Sequence, residues 1–75
     1  MNTHSLVTMA NDISAFFIGE AGEEAAPAQV ANHINRFWDP RMRTAILAHA
    51  RGSAEGLCAV AKAAALQVRE PVVAA

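Results

Sequence analysis

Three histidines and one cysteine are the side chains of this 75-residue chain that could ligate a soft metal. His4, His33, His49 and Cys58 show neither i, i+4 nor two-residue spacing, and a structural zinc needs four ligands brought together. No metal site is expected. His49 shares a helix face with Met42, Ala45 and Ile46, which suits a packed histidine. His33 flanks the Val30/Phe37 stripe and is expected to hydrogen-bond across a nearby corner. Cys58 has no adjacent His or Lys to activate it, so it reads as a half-buried, inert thiol. Gly19, Gly22, Gly52 and Gly56 match neither a P-loop nor a dinucleotide fingerprint. Ser5, Ser14 and Ser53 stand in no nucleophile setting. The chain is expected to hold no catalytic, cofactor-binding or metal-binding residue of its own.

Arginine is the more informative residue type. Arg36, Arg41 and Arg43 surround Trp38, where they could bind phosphate, nucleic acid or an acidic protein face. Charge is divided along the chain. Residues 1–35 hold four acidic groups and no basic one, whereas residues 36–75 hold six basic against three acidic groups. The net charge is only −1, and a nucleic-acid footprint is usually far more basic. Arg41 and Arg43 also stand about 200° apart on a helix, too far to grip one ligand together. A helix–turn–helix reading fares poorly as well, because the helix after the turn buries Met42 and Ile46 and offers few base-reading side chains. Solvated or partner-facing arginines are the better reading.

These residues must be positioned by helices. Alanine supplies 18 of the 75 residues and tyrosine is absent, a mixture that favours helix over strand. A first helix is expected from about Ser5 to Ile18, striped by Leu6, Ala10, Ile13 and Phe17, with Met9 and Phe16 on one shoulder. Gly19 and Gly22 then end it and open a loop. Pro27 suits the first position of a second helix, behind Glu23 and Glu24. Its apolar face is Val30, Ile34, Phe37 and Trp38.

Pro40 disfavours helical geometry at Asp39, and Asp39 can cap the N–H groups of Arg41 or Met42. Trp38-Asp39-Pro40 is therefore a tight corner between helices. A third helix follows with Met42, Ile46, Leu47 and Ala50, stopped by Gly52. Ser53 is expected to cap a fourth, lined by Leu57, Val60, Ala61, Ala64 and Val68 and ended by Pro71. Val72 to Ala75 is expected to be a loose tail. The fold class is all-α: a single domain over 1–75, ordered over about 5–70, forming a small antiparallel bundle of three to four helices.

Composition excludes several other classes. At 53% hydrophobic and 17% charged residues the chain is too apolar for intrinsic disorder. Lys62 interrupts the longest apolar stretch, Leu57 to Leu66, well short of the ~20 residues that cross a bilayer. No Lys or Arg precedes Ile13 to Ile18, so no secretory signal is expected. One cysteine allows no internal disulfide and fits a reducing compartment, so a cytoplasmic location is expected.

Size points to a partner. A chain this short buries only about 60% of its unfolded surface, and no disulfide staples it. Binding another protein is the simplest compensation. The apolar arc of the first helix spans roughly 200°, against ~100° for an ordinary surface helix. Leu47 lies about 140° from Met42 on the third helix, so one neighbour cannot easily cover both.

The run His33-Ile34-Asn35-Arg36-Phe37-Trp38-Asp39-Pro40-Arg41-Met42-Arg43 resembles the central signature of the delta subunit of soluble NAD-dependent formate dehydrogenase. Leu6-Val7-Thr8-Met9-Ala10-Asn11-Asp12-Ile13, with Phe16-Phe17, is similar to that family's opening. The likeness covers roughly Leu6 to Val68, and its last helix matches only in apolar character.

The resemblance implies a cytoplasmic complex that oxidises formate to CO₂ and passes electrons to NAD⁺. Its alpha subunit would carry a molybdenum or tungsten bis-guanine-dinucleotide cofactor and iron–sulfur clusters. The beta subunit would carry FMN and the NAD site, and the gamma subunit a further cluster. The delta subunit would be a non-catalytic accessory that carries no cofactor, stabilises the quaternary structure and supports cofactor insertion or retention in alpha. Neither nucleic acid nor membrane is an expected partner. Phe16, Arg36, Phe37, Trp38, Arg41, Arg43 and Leu47 are the interface candidates, and Asp39 and Pro40 set the corner's angle. The alternative reading is a free-standing homodimeric helical regulator, with nucleic acid as a candidate ligand.

Overall fold

Residues 2–70 are described by a computed structural model, and they form three helices: α1 Thr3–Phe37, α2 Pro40–Arg51 and α3 Ala59–Leu66. The all-α expectation holds, with the three helices gathered into a small bundle. α1 opens two residues earlier than the sequence suggests, because the Asn2 side chain accepts the Ser5 N–H at 2.8 Å and caps it.

The expected loop at Gly19–Gly22 is a break of one residue. Gly22 adopts φ 84°, ψ 163°, and helix resumes directly on its far side. That conformation is open essentially to glycine alone. Ala21, Glu23, Glu24, Ala25 and Ala26 are all good helix formers, so one glycine interrupts the helix without opening a loop. α1 is thus two arms, 3–21 and 23–37. Pro27 lies inside the second arm and does not begin it. The N–H it lacks would have served the carbonyl of Glu23, an exposed residue of that arm's first turn.

The corner forms as its residues dictate. Asp39 accepts the Met42 N–H at 3.0 Å, Pro40 stands at the start of α2, and Trp38 closes α1 with its N–H on the Ile34 carbonyl. Gly52 ends α2, as expected. Ser53 does not cap the next helix: its hydroxyl accepts the Glu55 N–H at 3.3 Å within the connection. Cys58 is the cap of α3, its Sγ accepting from Ala61 N–H at 3.4 Å. The chain leaves α3 at Leu66. The expected stop at Pro71 and the tail Val72 to Ala75 lie outside the described residues.

The core explains the alanine content. Ala10, Ala26, Ala31, Ala50, Ala61, Ala64 and Ala65 are buried, together with Leu6, Val30, Ile34, Trp38, Ile46 and Val68. Small side chains let helix axes approach closely, and α3 lies mainly against α1. Ser14, fully buried, satisfies its hydroxyl by donating to the Ala10 carbonyl at 2.7 Å. Such a core is tight but contributes little hydrophobic energy per residue.

Two asparagines hold α3 at its ends. Asn11 on the first arm donates from Nδ2 to the Gly56 carbonyl at 2.8 Å and accepts the Cys58 N–H on Oδ1 at 3.0 Å. Asn35 on the second arm accepts the Arg69 N–H at 2.8 Å. His49 reaches the same connection, its Nε2 donating to the Glu55 carbonyl at 2.8 Å. A carbonyl only accepts, so this contact places the proton on Nε2.

Candidate protein interface

The two arms of α1 bring four rings into one row. Phe16 and Phe17 meet edge to face with centroids 5.1 Å apart, Phe17 meets His33 at 6.1 Å, and His33 meets Phe37 at 4.8 Å. Edge-on and tilted rings at these separations attract through their quadrupoles, which holds the row in place. Its two ends remain open: Phe16 is 60% exposed and Phe37 66%. Phe17 and His33 are half-buried between them. Asp12, Ile13, Phe16, Phe17 and His33 enclose a shallow apolar hollow of about 290 Å³. His33 therefore sits edge-on and tilted between phenylalanines, and the hydrogen bond expected across the corner is not made.

The candidates drawn from the sequence separate into two groups. Phe16, Phe37, Arg36 and Arg41 are exposed, and the Arg36 guanidinium lies 5.5 Å from the Phe37 centroid. A cation over an aromatic face is held there while keeping its charge in water. Trp38 and Leu47 are 5% and 2% exposed and belong to this chain's own core. Arg43 is half-buried and donates from Nη1 to the Trp38 carbonyl at 2.9 Å, which ties it to the corner that Asp39 and Pro40 shape. Phe37 and Trp38, one residue apart, thus part company: the helix ends between them and only Trp38 turns inward.

Electrostatics sharpen this face. Among the described residues the one ion pair is Arg51–Glu70 at 3.0 Å, exposed on both sides and of small energetic weight. Among the described residues Arg36 and Arg41 form no ion pair. Asp39, the nearest acid in sequence, is occupied as the cap of α2.

Among the described residues no group of three or more His, Cys, Asp or Glu side chains converges. Cys58 is exposed, not half-buried, and its sulfur faces the first turn of α3. A single thiol does not fit an iron–sulfur cluster, which takes four. Among the described residues no helix is long and apolar enough to cross a membrane.

Sequence reasoning passed over Asn11 and Asn35. Asn11 appears inside the Met-Ala-Asn run, and its place beside a buried stripe was the available signal. Nothing local marks its partner, which lies in the connection before α3.

The class these observations define is a small all-helical chain with an open aromatic and cationic face. Compared with known families, residues 5–65 match the NADH-dependent formate dehydrogenase delta subunit FdsD, and the chain belongs to that family. The family implies association with a formate dehydrogenase complex that uses NAD. Comparison with curated proteins finds no match, and comparison with solved structures finds none.

Proposed function

We propose that this chain is a non-catalytic accessory subunit of a cytoplasmic NAD-dependent formate dehydrogenase. It binds the large alpha subunit, and through it the beta and gamma subunits. There it stabilises the quaternary structure and supports insertion or retention of the molybdenum or tungsten cofactor in alpha. The iron–sulfur clusters and FMN belong to the other subunits, consistent with the single, capping thiol of Cys58.

The observation that carries this reading is the open row Phe16–Phe17–His33–Phe37 with Arg36 at its edge. Exposed aromatics with arginine are the residues on which interfaces concentrate their energy, and rings already held against one another lose little side-chain freedom on binding. Phe16, Phe37, Arg36 and Arg41 form the contact, while Trp38, Leu47, Arg43, Asp39 and Pro40 hold the shape beneath it.

The test is affinity capture of the tagged chain from its own host grown on formate, with mass spectrometry of its companions. A large molybdopterin-binding subunit with flavin and iron–sulfur partners is the expected recovery. A chain recovered without them contradicts the reading.

A further inference from the structure

The aromatic row is not evenly charged. Phe16 has an acid one turn to either side, Asp12 at i−4 and Glu20 at i+4, all on the first arm of α1. Phe37, at the other end, has Arg36 against its ring and Arg41 just beyond the corner. The face therefore runs from an acidic phenylalanine, through Phe17 and His33, to a basic one. A surface of this kind is its own complement. Turned end for end about a two-fold axis through the middle of the row, a second copy sets its Phe37 and Arg36 against Phe16 and Glu20 of the first. The converse contact forms at the other end, as an isologous interface requires.

We propose that the free chain pairs with a second copy of itself through this row, Phe16 of each protomer against Phe37 of the other. Phe16 and Phe37 are the two most exposed large apolar side chains among the described residues, and the hollow beside Phe16 offers a seat for a ring. An interface built on so few side chains sits at the small end of the range, so the dimer is weak and reversible, with Kd in the range of about 10 to 100 μM. On the accessory-subunit reading, the formate dehydrogenase subunit takes this same face and displaces the second copy.

Sedimentation or light scattering of the purified chain from about 5 to 500 μM, a span around that Kd range, tests the pairing. The expected result is a concentration-dependent monomer–dimer transition. Phe16→Ala with Phe37→Ala should abolish it while circular dichroism keeps the helix signal, since both side chains are exposed. Glu20→Arg alone and Arg36→Glu alone should each weaken it by about tenfold or more, because each places like charges together at both ends. The two changes together should restore it. A monomer across the whole range overturns the proposal, as does a dimer indifferent to the double alanine change or not rescued by the charge swap. The inference stands apart from the accessory-subunit reading. A monomer that still recovers the complex sinks only the pairing, and a dimer that recovers no such subunit sinks only the accessory role.

Discussion

Asn11 and Cys58 lie 47 residues apart, yet the Asn11 side-chain oxygen accepts the Cys58 backbone N–H at 3.0 Å. The amide nitrogen of the same side chain donates to the Gly56 carbonyl at 2.8 Å. One asparagine thus fixes the residue that caps α3 and the turn leading into it. The first arm of α1 thereby sets where α3 begins.

Replacing Asn11 by alanine should remove both bonds, each worth about 0.5–1.5 kcal/mol, and so cost about 1–3 kcal/mol in all. For a domain of this size the loss corresponds to a fall in Tm of roughly 5–20 °C. Asn11→Asp should also destabilise, since it keeps the acceptor for Cys58 but sets a carboxylate against the Gly56 carbonyl. Thermal melts followed by circular dichroism measure both. An unchanged Tm for Asn11→Ala would show that the clamp carries no weight.

Gly22 should resist substitution for a purely conformational reason. A Cβ there meets nothing within 4 Å, but the backbone sits at φ +84°. Gly22→Ala should cost about 1–3 kcal/mol through strain, with the helix signal retained and Tm lowered. If stability rises instead, the chain tolerates α1 as one continuous helix and the angle between its arms is not needed.

The corner was legible in the sequence because its chemistry is local. Pro40 restricts Asp39, Asp39 caps α2, and the acceptor lies three residues from its donor. Helix faces were legible for the same reason, with Val30, Ile34, Ile46, Ala61, Ala64 and Val68 buried as their spacing indicates. What escaped was decided by distant partners. Ser53 follows Gly52 and looks like a cap, but Ala54 at φ 55° and Gly56 at φ 84° carry the chain onward to Cys58. Asn11 holds it there. The row of rings was likewise illegible, because Phe17 and His33 meet only once Gly22 has turned the second arm against the first.

Two arginines near the corner should behave differently. Arg41 is exposed, so Arg41→Ala should weaken recovery of the complex with helix content and Tm unchanged. Arg43 donates to the Trp38 carbonyl, so Arg43→Ala should lower stability by about 1 kcal/mol. Asp39→Ala should do the same by removing the cap. Urea titration separates these from Arg41→Ala, and equal destabilisation by all three would contradict the division of roles.

Cysteine is a poor cap, and serine at position 58 should improve on it. Cys58→Ser keeps an acceptor toward the Ala61 N–H, now a hydroxyl oxygen, where the thiol accepts at 3.4 Å. Serine is among the preferred N-cap residues, so a gain of about 0.5 kcal/mol is expected. A loss would mean that the sulfur contributes packing that the hydroxyl cannot replace.

The claim that the Phe16–Phe37 face binds the complex is tested most directly by photo-crosslinking. Benzoylphenylalanine placed at Phe37, and separately at Lys62 on α3 as a control, would be irradiated in the assembled formate dehydrogenase and the attached peptides sequenced. Crosslinks from position 37 to the alpha subunit, with few from position 62, are the predicted result. Crosslinks to alpha from position 62 with none from position 37 would place the partner on α3 and contradict the account.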